Sequence, residues 1–356
     1  MQKLKMTTIV VSAIFCLALQ AEDTITNMSR MDQNDGSMSS VAVTDQGLLG
    51  TCYAHAVSQA SDAYIHAKQL ADTKHATSPI MVGLEYKDNV LRRLLGLPGQ
   101  IDGGTICRTY KKSVQKYGAC DQEVVEGLID TMYAAYPKSY KTKKFIDEVS
   151  AIFKTYRKKT RFKLHKDSER NKTAKIVTKY FADNGALAAL QPSEYAIYQA
   201  LKEKTSVLFL NRVFKSLCYN NRTMVEGTKC KTRHNLIRSA EGKLKLIEEM
   251  KANISRPNAQ PLMISYCAKV LLNGKSYQGI KNAFSYFKLN QCGYHASLVI
   301  GARELNGQPQ FLIRNSWGKG CAGYSKDWQC ENGNIWVDAR ALVNNLTDYH
   351  KLITKK

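Results

Sequence analysis

The chain has 356 residues, 44% hydrophobic and 23% charged, values that exclude a wholly disordered protein. Its 52 Lys and Arg against 30 Asp and Glu leave a formal charge of +22, which favours an anionic partner or surface and is silent on the fold. Beyond the N-terminus no uninterrupted apolar run approaches the roughly 18 residues a spanning helix needs, so a multispan membrane protein is excluded.

Residues 1–21 read as a secretory signal peptide. Lys3 and Lys5 supply the positive start, Ile9 to Leu19 an apolar run too short to span a bilayer, and Leu19-Gln20-Ala21 a cleavage site. An uncleaved anchor is the alternative. The signal predicts a secreted, periplasmic or otherwise extracytoplasmic protein with no transmembrane segment after its removal. Of the 10 cysteines, Cys16 falls in the signal, behind a Phe15 too bulky for a lipid-attachment motif. An odd number then remains, which in an oxidising compartment implies one free thiol with a function, or an intermolecular bridge. Proximity alone pairs Cys107 with Cys120, Cys218 with Cys230, Cys267 with Cys292 and Cys321 with Cys330. Cys52 is left over. No two cysteines form a CxxC and no histidines repeat at ligand spacing, so neither a metal nor a cofactor is called for.

Residues 22–40, rich in Ser, Asp, Asn and Met, are expected to be extended. The Gly-containing loop Gln46-Gly47-Leu48-Leu49-Gly50-Thr51 then leads into an Ala-rich segment that reaches about Lys68 without Gly or Pro and predicts a helix. Cys52 falls in its first turn, where the positive end of the helix dipole favours a thiolate and lowers the thiol pKa. His55, three residues on, reads as a core or structural residue. Asp102-Gly103-Gly104 precedes a second helical run to Tyr117-Gly118. Residues 122–244 read as a basic helical insertion, because Phe145, Val149, Ile152, Phe153 and Tyr156 recur at helical spacing. Between Lys138 and Lys179 this insertion carries a local excess of cations that predicts docking on an anionic surface or polymer, a solvated helical face being the plain alternative. No recognition motif accompanies the charge, which argues against a specific nucleic acid.

Leu244 to Met250 has helical apolar spacing. Strands are predicted over 262–267, 296–302, 311–314 and 335–338, with Asn306-Gly307 as a two-residue hairpin turn. His295 opens one strand of that hairpin and Asn315 ends its partner, so the two side chains should be neighbours. With a free cysteine at a helix N-terminus they supply a nucleophile, a base and a group that orients the base.

These residues resemble the papain family of cysteine peptidases. Gln46, Gly50 and Tyr53 surround Cys52 as in the family's nucleophile motif. His295-Ala296, Asn315-Ser316-Trp317-Gly318 and Asp102-Gly103-Gly104 match three further segments in the same order. The resemblance covers residues 40–120 and 245–340, and implies an α+β, papain-like two-lobed fold. A helical lobe (residues 22–121) and a β-barrel-like lobe (245–356) would flank a cleft, with the helical insertion (122–244) between them. It implies catalysis by Cys52, His295 and Asn315, an oxyanion held by Gln46 and the Cys52 N–H, and Trp317 shielding the His295–Asn315 bond. Gly50, Gly103, Gly104, Ile106 and Ala296 would line the substrate cleft. The expected activity is hydrolysis of peptide bonds in proteins or peptides through a thioester. Endopeptidase action is favoured because no pair of histidines marks an occluding loop. A transpeptidase or amidase using the same chemistry, and a silent binding protein on the same scaffold, are the alternatives. Three departures stand out. The family's disulfide beside the nucleophile is replaced by Leu49 and Ile101, which would exchange a bridge for a packed contact. Cys52 and His295 stand 243 residues apart, against about 130–150 in the family. The stretch between the predicted cleavage site and Cys52 is too short for the family's long inhibitory propeptide.

Overall fold

The computed structural model describes residues 23–88, 101–161, 166–184, 191–235, 239–280 and 292–354. The expected signal peptide lies outside them. One helix, α1 (Cys52–Ala67), runs through the middle of the molecule with every residue from Tyr53 to Ile65 buried. Its small Ala and Ser residues let neighbouring layers approach from all sides, which an amphipathic helix does not permit.

On one side lies an antiparallel sheet whose strand order is β4-β10-β5-β6-β7-β9-β8. These strands are β4 (Thr228–His234), β5 (Leu262–Cys267), β6 (Tyr294–Leu305), β7 (Gln308–Arg314), β8 (Gln329–Glu331), β9 (Asn334–Asp338) and β10 (Leu346–Thr354). An N-terminal strand, β1 (Ile25–Arg30), pairs with the distal half of β6, and a separate two-stranded sheet joins β2 (Ala119–Cys120) to β3 (Arg222–Thr223). The four predicted strands are thus present, and Asn306 and Gly307 adopt the positive φ of 52° and 73° that a tight hairpin turn demands. The stretch expected to be extended, residues 22–40, contributes β1.

On the other side lie α2 (Pro79–Lys87) and the insertion's helices: α3 (Lys138–Thr160), α4 (Lys166–Asp183), α5 (Glu194–Ala200) and α6 (Ser206–Leu217). Of the predicted stripe, Phe145, Val149, Phe153 and Tyr156 are buried together with Phe181, Phe209 and Phe214, and Ile152 packs half-buried against them. The same apolar cluster takes in Leu49, Ile80, Leu84 and Ile101, so the insertion shares one core with segments close to Cys52. Leu49 and Ile101 are both buried in it, as a packed contact in place of a bridge requires.

Two expectations are corrected. Residues 228–234, assigned to the helical insertion, form β4 and pair along their whole length with β10. Lys229, Lys231 and Arg233 alternate along this sheet-edge strand and keep it from pairing further. The disulfides expected from proximity at Cys107–Cys120 and Cys218–Cys230 are instead Cys107–Cys230 and Cys120–Cys218, while Cys267–Cys292 and Cys321–Cys330 are as expected. The first two span 123 and 98 residues. Each clips a helix or its C-terminal cap to a distant strand, and closing loops of that size is worth about 4–5 kcal/mol in chain entropy. Proximity along the chain carries no information about such pairs.

Candidate active site

Cys52 is the free cysteine of the described chain and occupies the first position of α1, behind Thr51. It is partly exposed, whereas the rest of the helix's first three turns is buried. Its helix packs against β6, the strand that carries His295 and Ala296. The lowered thiol pKa expected from the helix N-terminus is not found. Burial pushes the Cys52 thiol up and outweighs the opposing N–H groups of Ala296, Tyr53 and Cys52 itself.

His295 stands beside Ala296 on β6, opposite Tyr266 on β5, and is buried. Its Nε2 lies 2.7 Å from Asn315 Oδ1. That oxygen also accepts from the Ser316 N–H at 2.8 Å and the Ser297 hydroxyl at 3.2 Å, while Asn315 Nδ2 donates to Tyr324 Oη at 3.3 Å. Both ends of the amide are therefore specified, and the Asn315 oxygen faces the imidazole. An acceptor opposite Nε2 fixes the Nε2–H tautomer and leaves Nδ1 as the basic nitrogen. Trp317 covers the ring at 5.1 Å and is itself stacked on Tyr324, and Tyr266 approaches edge-on at 6.0 Å. Burial in this aromatic box lowers the His295 pKa to about 4, against the opposing bond to Asn315.

The Gln46–Gly50 loop is tied at both ends. At one end Asp45 bridges Trp317, the Gln46 N–H donates to Ser316 O at 2.9 Å, and Ser316 Oγ donates to Gln46 Oε1 at 2.6 Å. With its oxygen engaged by Ser316, the Gln46 amide has its NH2 group left to donate. One hydrogen goes to Leu49 O at 2.7 Å and the other is left for a further acceptor. At the other end Gly50 N donates to Asp102 Oδ1 and Gly103 N donates to Gly50 O. Lys87 Nζ clamps the carbonyls of Asp102 and Gly103 at 2.6 Å each. Gly104 must be glycine, because a Cβ there would stand 2.5 Å from the Tyr53 ring. Tyr53 in turn donates to Ile101 O at 2.6 Å.

His295, Asn315, Ser316, Gln46 and Trp317 are thus joined by short links, Cys52 starts the helix that packs against the strand of His295, and Gly50 and Gly103 are joined by a hydrogen bond next to Gly104. Ile106 and Ala296 are buried in the main apolar cluster, so they contribute packing behind the cleft. His55 is buried with Nδ1 2.9 Å from Thr44 Oγ1, and burial lowers its pKa to about 3. It supports the loop from beneath, in line with its structural reading. Sequence reasoning missed Lys87, Ser297 and Tyr324. Ser297 follows His295-Ala296 on the same strand and could have been named, whereas nothing in the chain marks Lys87 or Tyr324. Among the described residues no group of three or more His, Cys, Asp or Glu is arranged to hold a metal.

No model of a known protein family matches the chain, and no curated protein matches it. Among solved structures it is similar to digestive procathepsin L 3 of the Tenebrio molitor larval midgut, at 12% identity and a TM-score of 0.43, over 93% of this chain and 71% of that one. It is also similar to a structure from work on the mite allergens Blo t 1 and Der p 1, at 14% identity and a TM-score of 0.38, over 87% of this chain and 67% of that one.

Proposed function

We propose that the chain is an exported, papain-type cysteine peptidase that cleaves internal peptide bonds through a thioester. The observation that supports this most is the Nε2–Asn315 link of 2.7 Å, which leaves His295 Nδ1 as a base on the strand that packs against the helix begun by Cys52. In the reaction the thiol proton passes to Nδ1 as sulfur attacks the carbonyl carbon. The free hydrogen of Gln46 Nε2 and the Cys52 N–H receive the oxyanion. The imidazolium then protonates the leaving amine, and a water deprotonated by His295 releases the acid and regenerates the thiol. Export is supported by four disulfides, which persist in oxidising compartments.

The site is competent while Cys52 and His295 together hold one proton. A second proton is added as pH falls through about 4, the His295 value, and the last is lost only above the ordinary thiol value of 9.0, since burial raises Cys52. The expected kcat/KM profile for a peptide substrate is a broad plateau, lost on the acid side near pH 4 and on the alkaline side beyond pH 9. A single rise centred near pH 7 would contradict the paired assignment.

The basic face of the insertion is proposed to dock on an anionic surface. Lys143, Lys144, Arg170 and Lys179 are each paired with an acid within one helical turn, which removes them from the account. Arg157, Lys158, Lys166 and Lys202 line a cavity of about 440 Å³ at the far end of α3. Binding to anionic phospholipid vesicles should fall steeply as salt rises, while hydrolysis of a short neutral peptide changes little. Replacing Arg157, Lys158 and Lys159 with Gln should weaken vesicle binding. Unchanged binding would leave a solvated helical face.

A further inference from the structure

The insertion reaches the loop that carries Gln46. Leu48 N donates to Ser139 O, at the start of α3, at 3.3 Å. Gly47 permits this approach. It has φ of +57°, and a Cβ there would collide with the Ser139 carbonyl. Next to this junction Leu48, Tyr136, Pro137 and Tyr140 line an open cavity of about 550 Å³. Leu48 is 56% exposed, Tyr140 52% and Tyr136 44%, an unusual concentration of bare apolar surface on so few neighbours. The charges at its rim cancel, because Lys143 pairs with Asp147 and Lys144 with Glu148. Lys144 also lies over the Tyr136 ring, which holds that ring in place. The cavity therefore favours an uncharged apolar guest.

Its position determines which guest. The Gln46–Gly50 loop is fastened at the Gly50 end to Asp102 and Gly103, and at the Asp45–Gln46 end to Ser316 and Trp317, against the His295 ring. His295 must deliver its proton to the leaving amine, so the leaving half of a substrate departs over the Gln46 and Trp317 end. We infer that the insertion builds a subsite for the leaving-group side of the peptide, with Leu48, Tyr136 and Tyr140 receiving a large apolar side chain beyond the scissile bond. This rests on the peptidase reading. Leu48 belongs both to this cavity and to the loop that carries Gln46, and a partner unrelated to the substrate would have no reason to meet that loop.

The test is a set of internally quenched peptides, identical up to the scissile bond and carrying Phe or Ala at each successive position after it. The full-length protein should prefer Phe over Ala at one such position by about tenfold or more in kcat/KM, the range that filling a hydrophobic pocket supplies. Tyr140→Ala should bring that preference toward parity, and Tyr140→Phe should keep it. Tyr140 is half exposed, so neither change threatens the core, and Tyr136→Ala offers an independent variant. If no peptide is cleaved, the peptidase reading fails. If peptides are cleaved with no preference after the scissile bond, or with one that both alanine variants retain, the subsite is overturned.

Discussion

Cys52→Ala and His295→Ala should each abolish peptide hydrolysis, with losses on the order of a millionfold in kcat, while Asn315→Ala should be about a hundredfold milder. The asymmetry follows from the arrangement. Nucleophile and base act as one unit, since a thiol without a proton acceptor attacks slowly and a base without a nucleophile has nothing to activate. Asn315 acts on the reaction through His295, by fixing the Nε2–H tautomer with its oxygen at 2.7 Å. The aromatic box of Trp317, Tyr266 and Tyr324 still holds the ring when that amide is gone. Asn315→Ala also takes a partner from Tyr324 and one of two from Ser297, which keeps Tyr266 Oη at 3.0 Å, so its stability has to be measured beside its activity. Equal losses in all three variants with folding intact would assign Asn315 a direct part in the chemistry.

Gln46→Ala should lower kcat about 10²–10³-fold with little change in KM, because the oxyanion exists only in the transition state and the intermediate. Gln46→Glu keeps the anchor to Ser316 while removing both NH2 hydrogens, the one given to Leu49 O included. Glutamate keeps the length of the side chain and an oxygen to accept from Ser316 Oγ, which is 2.6 Å from Gln46 Oε1, but it has no NH2 to offer. It should therefore be as slow as alanine. Recovery of most activity in Gln46→Glu would mean that Gln46 only anchors the loop. Pre-steady-state release of the first product reads the acylation step directly, where this donor is needed.

Much of the candidate site was legible because its parts are local. A loop rich in Gly before an Ala-rich run places Cys52 at a helix start. A hairpin with Asn306-Gly307 at its tip puts His295 and Asn315 on adjacent strands, whatever the rest of the chain does. The unread parts depend on the tertiary fold. Cys107 meets Cys230 because β4 joins the sheet through β10, and neither strand carries an apolar run to announce it. The thiol pKa was misjudged for a related reason. Position at a helix N-terminus can be read from sequence, but burial by the opposing strand cannot, and burial outweighs it here. The approach of α3 to the loop that carries Gln46 was equally hidden, since Gly47 looks like any loop glycine until Ser139 O is seen against it.

The most direct measurement of the central claim is labelling of the folded, disulfide-intact protein with a cysteine-directed peptidyl epoxide, followed by peptide mapping by mass. The account predicts a single adduct on Cys52, with hydrolysis lost in step with the fraction labelled and labelling suppressed in His295→Ala. Hydrolysis that persists after complete labelling of Cys52, or a folded protein whose Cys52 stays unlabelled while peptides are still cleaved, would contradict it.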